Sequence, residues 1–378
     1  MDRLTCSKDL TLFLCGDVML GRGIDQILQS PGDPALFEEY ARSAIRYVQL
    51  AEAAHGKIPR HAPPDYVWGD ALPIMTEAQI ALRIINLETA VTTSDRHWPK
   101  GINFRMDPAN VACLQAARVD CCVLANNHVL DWGCEGLLET LDTLQRAGIA
   151  TTGAGGDAAQ ADAPAVVACG GGRRVLVFGF AATDSGVPRD WAAGPAKPGV
   201  NRLSDLSIVT AAKLAAAAQR LRQPEDLLIA SVHWGGNWGY AIPATHRAFA
   251  HALIDGGFAL VHGHSSHHPR GIELYRQHLV LYGCGDFIND YEGIGGYEDF
   301  RSDLTLMYLP RLDAIGRLLS LRLVPMQISR FRLNRPSQAD AAWLHQAVAR
   351  ESGKLATIVA RRADGSFVIE PGETAACA

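Results

Sequence analysis

The densest chemistry in the chain is His262-Gly263-His264-Ser265-Ser266-His267-His268, four imidazoles in seven residues around a glycine and two serines. Imidazoles at that spacing serve as metal ligands or as proton carriers near neutral pH. Partners of suitable type stand elsewhere: Gly16-Asp17, Asn86-Leu87-Glu88, Asn126-Asn127-His128 followed by Asp131, and His233-Trp234-Gly235-Gly236. Imidazole, carboxylate and amide oxygen together make a donor set for Zn, Mn or Fe, not for a thiolate site. Each element has a plainer reading when taken alone. Gly-Asp after a strand makes a turn, Asp131 can cap a following helix, and a single His233 can be a hydrogen-bonded core histidine. Their coincidence is what points to a metal centre.

These segments share a position, each at the end of a short apolar run. Leu10–Cys15, Ile80–Ile85, Val119–Ala125, Leu227–Val232 and Phe258–Val261 precede them in turn, and Arg174–Phe180 and Leu279–Tyr282 have the same character. Their length and β-branched content predict buried strands. Helix-period segments lie between them. Glu135–Ala147 sets Leu137, Leu138, Leu141 and Leu144 on one face and meets Gly148 as a stop; Ile208–Leu221 and His246–Leu253 follow. Strands alternating with helices predict an α/β fold. In such a sheet the carboxyl ends of the strands form the ligand-binding edge, so five segments are expected to deliver polar side chains to one rim.

Past Leu304 the texture changes. Leu304–Leu309 and Leu318–Val324 read as strands of a second sheet or of an antiparallel continuation, Gln338–Ala349 as a late helix, and Phe367–Ile369 as a last strand. Gln29–Pro34 and Ile58–Pro64 read as loop excursions. With no repeat or linker, residues 1–378 are expected to form one domain, its core over about 10–325 and 326–378 packed on it.

Composition narrows the function classes. The chain has 378 residues, 35 Lys+Arg against 40 Asp+Glu, and a net charge of −5. Without a basic run, this argues against nucleic-acid binding or a polybasic membrane anchor. No segment reaches the ~18 apolar residues of a membrane span; the longest, near Ala211–Ala218, is broken by Lys213. Met1–Asp9 lacks the basic lead and apolar core of an export signal. The nine cysteines form no C-x-x-C, and Cys121-Cys122 sit inside an apolar run. A cytoplasmic protein with reduced, buried thiols is expected.

Gly16-Asp17-Val18-Met19-Leu20-Gly21-Arg22, Asn86-Leu87-Glu88-Thr89, Ala125 through Gly133 and His233-Trp234-Gly235 resemble the CapA-like family. These are capsule and poly-γ-glutamate synthesis proteins of the calcineurin-like metallophosphoesterase superfamily. Further similarity at 136–155, 263–269 and 282–291 extends the resemblance from about Leu10 to Leu309. It implies a four-layer αββα sandwich of the metallo-dependent phosphatase type, with one or two divalent ions (Mn, Zn, Fe, Mg or Ca) at the strand ends. It further implies that Asp17, Glu88, Asn127, His233, His264 and His267 hold the metal, Glu88 in the bridging place. His128 would act near the substrate, oriented by Asp131, with His268 as a further acid or base. Two departures from the superfamily stand out, both shared with the CapA-like family. Asp17-Val18-Met19 lacks the imidazole of the Asp-x-His motif, and Glu88 replaces an aspartate.

For the substrate, Arg22 stands one turn after Asp17, placed either for an anionic group or for a salt bridge. The loop His97–Arg105, with Lys100 and Arg105, can hold a carboxylate-bearing or peptidic chain or pack over the sheet edge. Trp234 is a further candidate contact, with cleft wall or core as its plainer reading. The expected function is a metal-dependent enzyme acting on a peptidic, poly-γ-glutamyl or phosphoester substrate by hydrolysis. Two alternatives stay open. One is a metal-dependent peptide epimerase, in which Asp17 and a histidine of 264–268 exchange the Cα proton. The other is a non-catalytic accessory protein of capsule or poly-γ-glutamate synthesis. The expected partner is a peptide or an anionic polymer.

Overall fold

The structure, a computed structural model, describes residues 9–169 and 172–372. The apolar runs form two sheets. In the larger, Leu10–Val18, Leu82–Leu87, Cys121–Val123 and Ala150–Thr152 lie side by side in parallel. On the other flank of Leu10–Val18, Leu304–Leu312, Leu318–Ile328 and Phe367–Ile369 extend the same sheet antiparallel. The segment past Leu304 is therefore the continuation, not a second sheet. The second sheet has the parallel strands Arg174–Ala181, Leu227–His233, Leu260–His264 and His278–Leu281, edged by Ala165–Ala168 and Ile272–Tyr275.

Side-chain alternation sorts the layers. In Arg174–Ala181, Val175 and Val177 join a core shared with the first sheet. Leu176, Phe178 and Phe180 instead pack with Ala211, Ala215 and Phe249 of the helices Ile208–Leu221 and Ala244–Asp255. The larger sheet is covered by Ala71–Glu77, Ala112–Ala116 and Gly133–Arg146 through Ile74, Leu114, Leu137 and Leu144. The order helix, sheet, sheet, helix is the four-layer sandwich the resemblance implies. Each Leu, Ile, Val or Phe fully buried between the sheets contributes about 1.5–3 kcal/mol, so the inter-sheet core fixes where the strands end.

Three local details depart from the sequence reading. Five segments do meet at strand ends, but from two facing sheets and not one edge. Leu138 is exposed, because the buried face of Gly133–Arg146 runs through Leu137, Thr140 and Leu144. Asp131 caps nothing: Trp132 holds the cap position, without a side-chain bond. The late helix, Gln338–Gly353, starts at a Ser337 cap and joins both sheets. Leu344 and Val348 enter the main core, while Ser352 accepts from Ile272 N–H at 3.0 Å.

The central strand changes partner at its end. After Leu14 opposite Tyr308, Asp17 pairs in parallel with Asp286 of Asp286–Ile288. The Asp17 N–H donates to the Gly285 carbonyl at 3.0 Å. A Cβ at Gly16 would lie 1.6 Å from that oxygen, so the approach requires glycine. Gly16→Ala is expected to cost about 3 kcal/mol or more. Gly353→Ala, whose Cβ meets nothing within 4 Å, should stay within about 1 kcal/mol of the parent. Urea midpoints compare the two, and equal midpoints would refute the crowding at Gly16.

Candidate metal centre

Register builds one half of the site. Ser231 pairs with His262 and His233 with His264 in adjacent parallel strands. Residues two apart share a face, and Leu227 and Ile229 of that face point into the inter-sheet core. The serine and three histidines therefore face the first sheet, all buried. A chain of hydrogen bonds assigns their protons. His262 Nε2 donates to the Cys15 carbonyl at 2.7 Å, which leaves Nδ1 to accept from Ser231 Oγ at 3.0 Å. That hydroxyl accepts in turn from His264 Nε2 at 3.0 Å. Neutral His264 then carries its lone pair on Nδ1, which faces His233 Nδ1 at 2.8 Å and Asp17 Oδ1 at 3.9 Å. His233 Nε2 meets Asn127 Oδ1 at 2.9 Å. Burial holds His262 at about 4 and both His233 and His264 well below the usual imidazole range, so they stay neutral.

The first sheet supplies the carboxylates. Asp17 Oδ1 accepts from Asn86 Nδ2 at 2.7 Å, and Asn86 Oδ1 from Asn126 Nδ2 at 3.1 Å, an amide relay across three strand ends. Ser265, held at a φ of 103°, donates its N–H to Asp17 Oδ2 at 3.2 Å. Among the described residues two candidate ligand triads result, Asp17 with His233 and His264, and Asp17 with Glu88 and Asp286; within each, the ligand atoms lie within 4.8 Å of one another. Burial, then the Asp286 carboxylate, pushes Asp17 up to about 7. Burial, then Asp17 and Asp286, raises Glu88 well above the usual carboxylate range. Three carboxylates gathered in a dry site beside neutral imidazoles need a counter-charge. The donor set fits one divalent ion, or two sharing Asp17.

A third group flanks the cluster. His128 Nδ1 bonds Asp131 Oδ2 at 2.6 Å, its ring stacks on Phe104 at 3.8 Å, and its Nε2 faces Glu88 Oε1 at 3.9 Å. Asp131 also accepts from Phe104 N–H and from Lys100 Nζ, both at 2.7 Å. Lys100 bonds the Asn127 carbonyl as well. Burial brings His128 down to about 4, against the pull of Asp131. His267 stands apart from His233 and His264, with Nδ1 2.9 Å from Asp286 Oδ1 and Nε2 2.9 Å from Asn237 Nδ2. Burial opposes its charge, but the Asp286 carboxylate outweighs burial and raises its pKa.

Four expected site residues are not brought into the cluster. Arg22 is buried and spent on Asp290 and Glu38, the salt-bridge alternative in a buried form. Arg105 donates to the Ser94 and Asp33 carbonyls and lies over Trp132. Trp234 is core: its indole donates to the Tyr282 carbonyl at 2.9 Å and stacks on His246. His268 is buried among Tyr240 and Phe300, with Nδ1 at the Pro269 carbonyl. In return, Asp286, Ser231, Asn86 and Asn126 take places that the sequence reading left empty. Asp286 had a signal, since Cys15-Gly16-Asp17 recurs as Cys284-Gly285-Asp286.

Comparison with known proteins gives three kinds of likeness. The family model "Bacterial capsule synthesis protein PGA_cap" matches residues 11–291. The "Probable polyglutamine synthesis accessory protein" of Mycobacterium tuberculosis is 47% identical over 368 residues, 96% of each chain. The "Capsule biosynthesis protein CapA" of Bacillus anthracis is 25% identical over 289 residues, 75% of this chain and 61% of that protein. The "PGA biosynthesis protein CapA" of Bacillus subtilis is 24% identical over 317 residues, 83% and 71%. Among solved structures, a 5'-nucleotidase precursor from Thermus thermophilus is a remote likeness, with TM-score 0.43 and 15% identity over 89% of this chain and 58% of that one.

Two measurements follow from the geometry. Ser231→Ala breaks the proton assignment on His264 without touching a candidate ligand. Divalent-ion affinity, read by calorimetry, should fall about 10–100-fold, as it does when a ligand loses its outer partner; an unchanged Kd would sink the relay. The second concerns pH. Because Asp17 is raised to about 7 in the fold, its contribution to stability is present below the unfolded carboxylate value near ~4 and lost as pH rises through the folded value. Metal-stripped protein should therefore melt lower at about pH 8 than at about pH 5, and Asp17→Asn should flatten that slope.

Proposed function

Because the chain belongs to the PGA_cap family of bacterial capsule synthesis proteins, we propose that its strand-end cluster is a divalent-metal centre that hydrolyses an amide, γ-glutamyl or phosphoester bond. The observation that carries this is the meeting of Asp17, Glu88, Asp286, His233 and His264 from two sheets in one buried cluster. A bound divalent ion lowers the pKa of its water and polarises a carbonyl or phosphoryl oxygen.

The chain's own residues divide the remaining work. Asp17, Glu88, Asp286, His233 and His264, with the Asn127 amide oxygen, hold the ion, and the amide relay through Asn86 and Asn126 fixes Asp17. His128 is neutral near pH 7 and its Nδ1–H donates a hydrogen bond to Asp131, so its Nε2 faces the cluster as a proton acceptor. Lys100 fixes Asp131 and the Asn127 carbonyl, and so positions both neighbours. His267, with Nδ1 bonded to Asp286 and its pKa raised by that carboxylate, is the titratable group on the cleft side. The epimerase alternative needs an Asp17 free to exchange a proton, and a place in both candidate triads supports the ion-holding role for Asp17 instead.

A second reading has its own support. The relative 47% identical to this chain bears the name of a synthesis accessory protein, and in that role the ion would be structural and the surface would serve the polymer machinery. One experiment separates the two. Purified protein with Mn²⁺ or Zn²⁺ is offered γ-linked glutamyl oligomers, short peptides and phosphoesters in deuterated water. Cleavage of one class, lowered about a thousandfold by Glu88→Gln, is expected. Tightly held metal with no cleavage of any class would favour the accessory role, and deuterium at Cα without cleavage would revive epimerisation.

A further inference from the structure

A cleft of about 470 Å³ opens beside the cluster, lined by Asn237-Trp238 and by residues between Tyr291 and Arg301. His267 lines it and ties it to Asp286. The volume lies within the roughly 300–1,000 Å³ of small-ligand sites. One wall is an aromatic ledge, Trp238 stacked on Tyr297 at 4.0 Å, and Tyr297 and Ile294 are about half exposed.

The charges of the cleft are one-sided. Both arginines that line it are already matched, Arg22 by Asp290 and Glu38 and Arg301 by Asp303 and Asp340, while His55 bonds Glu292 at 2.5 Å and His267 bonds Asp286. Glu298 accepts from the Gly296 N–H at 2.8 Å and pairs with no cation among the described residues. The lining thus sets two arginines against Glu292, Glu298 and Asp303. A polyanion with a carboxylate on each residue would be repelled there, whereas a cation is drawn in.

We propose that this cleft takes a short cationic, amphipathic peptide, its aromatic or aliphatic side chain on the Trp238–Tyr297 ledge and its ammonium or guanidinium at Glu298. This rests on the neighbouring cluster being the reactive centre, and it specifies the substrate class of that centre as peptide and not poly-γ-glutamate. Ring faces on the ledge add attraction for the same cation.

The test reads binding, not turnover. The tetrapeptide Lys-Phe-Phe-Lys amide and γ-linked tetraglutamate are titrated by calorimetry into the full chain with Mn²⁺, at low and at moderate salt. The peptide is expected to bind about tenfold more tightly than tetraglutamate at low salt, with the gap narrowing as salt screens it. Glu298→Lys, a change at an exposed side chain, should remove most of that preference, and Trp238→Ala should weaken the peptide about tenfold. Tetraglutamate bound as tightly as the peptide, binding of neither probe, or a preference unmoved by Glu298→Lys overturns the proposal. A protein that prefers the peptide yet cleaves nothing would keep this inference and lose the hydrolase reading. One that cleaves but prefers tetraglutamate would do the reverse.

Discussion

One buried hydrogen bond, from His262 Nε2 to the Cys15 carbonyl, joins the two sheets just below their functional ends. A donor in that dry interface cannot go unpaired without a cost of roughly 1–3 kcal/mol. The bond therefore fixes how the second sheet is set against the first. It also propagates. The carbonyl has no hydrogen to give, so it decides which nitrogen of His262 is protonated, and through Ser231 it decides the same for His264. A main-chain group of the first sheet thus prepares a lone pair in the second, before any ion arrives.

The carboxylate side shows the opposite tendency. Asp17 and Asp286 stand opposite each other because Gly16 and Gly285 let two backbones approach more closely than side chains would allow. Glu88 adds a third acid to the same dry volume. Packing that favours folding everywhere else here gathers carboxyls together, and their pKa values rise in consequence. The fold tolerates it because the inter-sheet core from Leu10 to Ile369 is large and continuous. Lys100 and His128 stay on the rim of this cluster, bound through Asp131, and the pull of Lys100 on Glu88 is outweighed by burial and the neighbouring acids.

Much of this was legible in the chain. The strands that lead to Asp17, Asn127, His233 and His264 are mostly apolar and buried, which leaves few other structures open to them. The helix Ile208–Leu221 ends where its pattern does. Asp286 was harder to find, because its strand is three residues long and is held only by pairing with a strand at the other end of the sequence. Ser231 is invisible for a similar reason: a lone serine in an apolar strand acquires meaning only from the register that sets it beside His262. Arg22, Arg105 and Trp234 show the opposite case. Their types suit ligand recognition, but type does not reveal that Asp290, two backbone carbonyls and Tyr282 have already claimed their donors. His268 differs from its neighbour His267 only in the direction it faces, which spacing alone does not give.

The order of strands in the larger sheet carries a cost in time. Its central strand, Leu10–Val18, is made long before Leu304–Leu312, which supplies one flank, and Asp286–Ile288, which supplies the tip. At about 5–20 residues per second, the interval between the two is roughly 15–60 s, and loop closure over such separations is slow even afterwards. For that interval an apolar strand with an unpaired edge is present in the cell, the kind of surface that chaperones retain. The arrangement that brings Asp17 beside Asp286 therefore delays completion of the central strand's edges until most of the chain has been made.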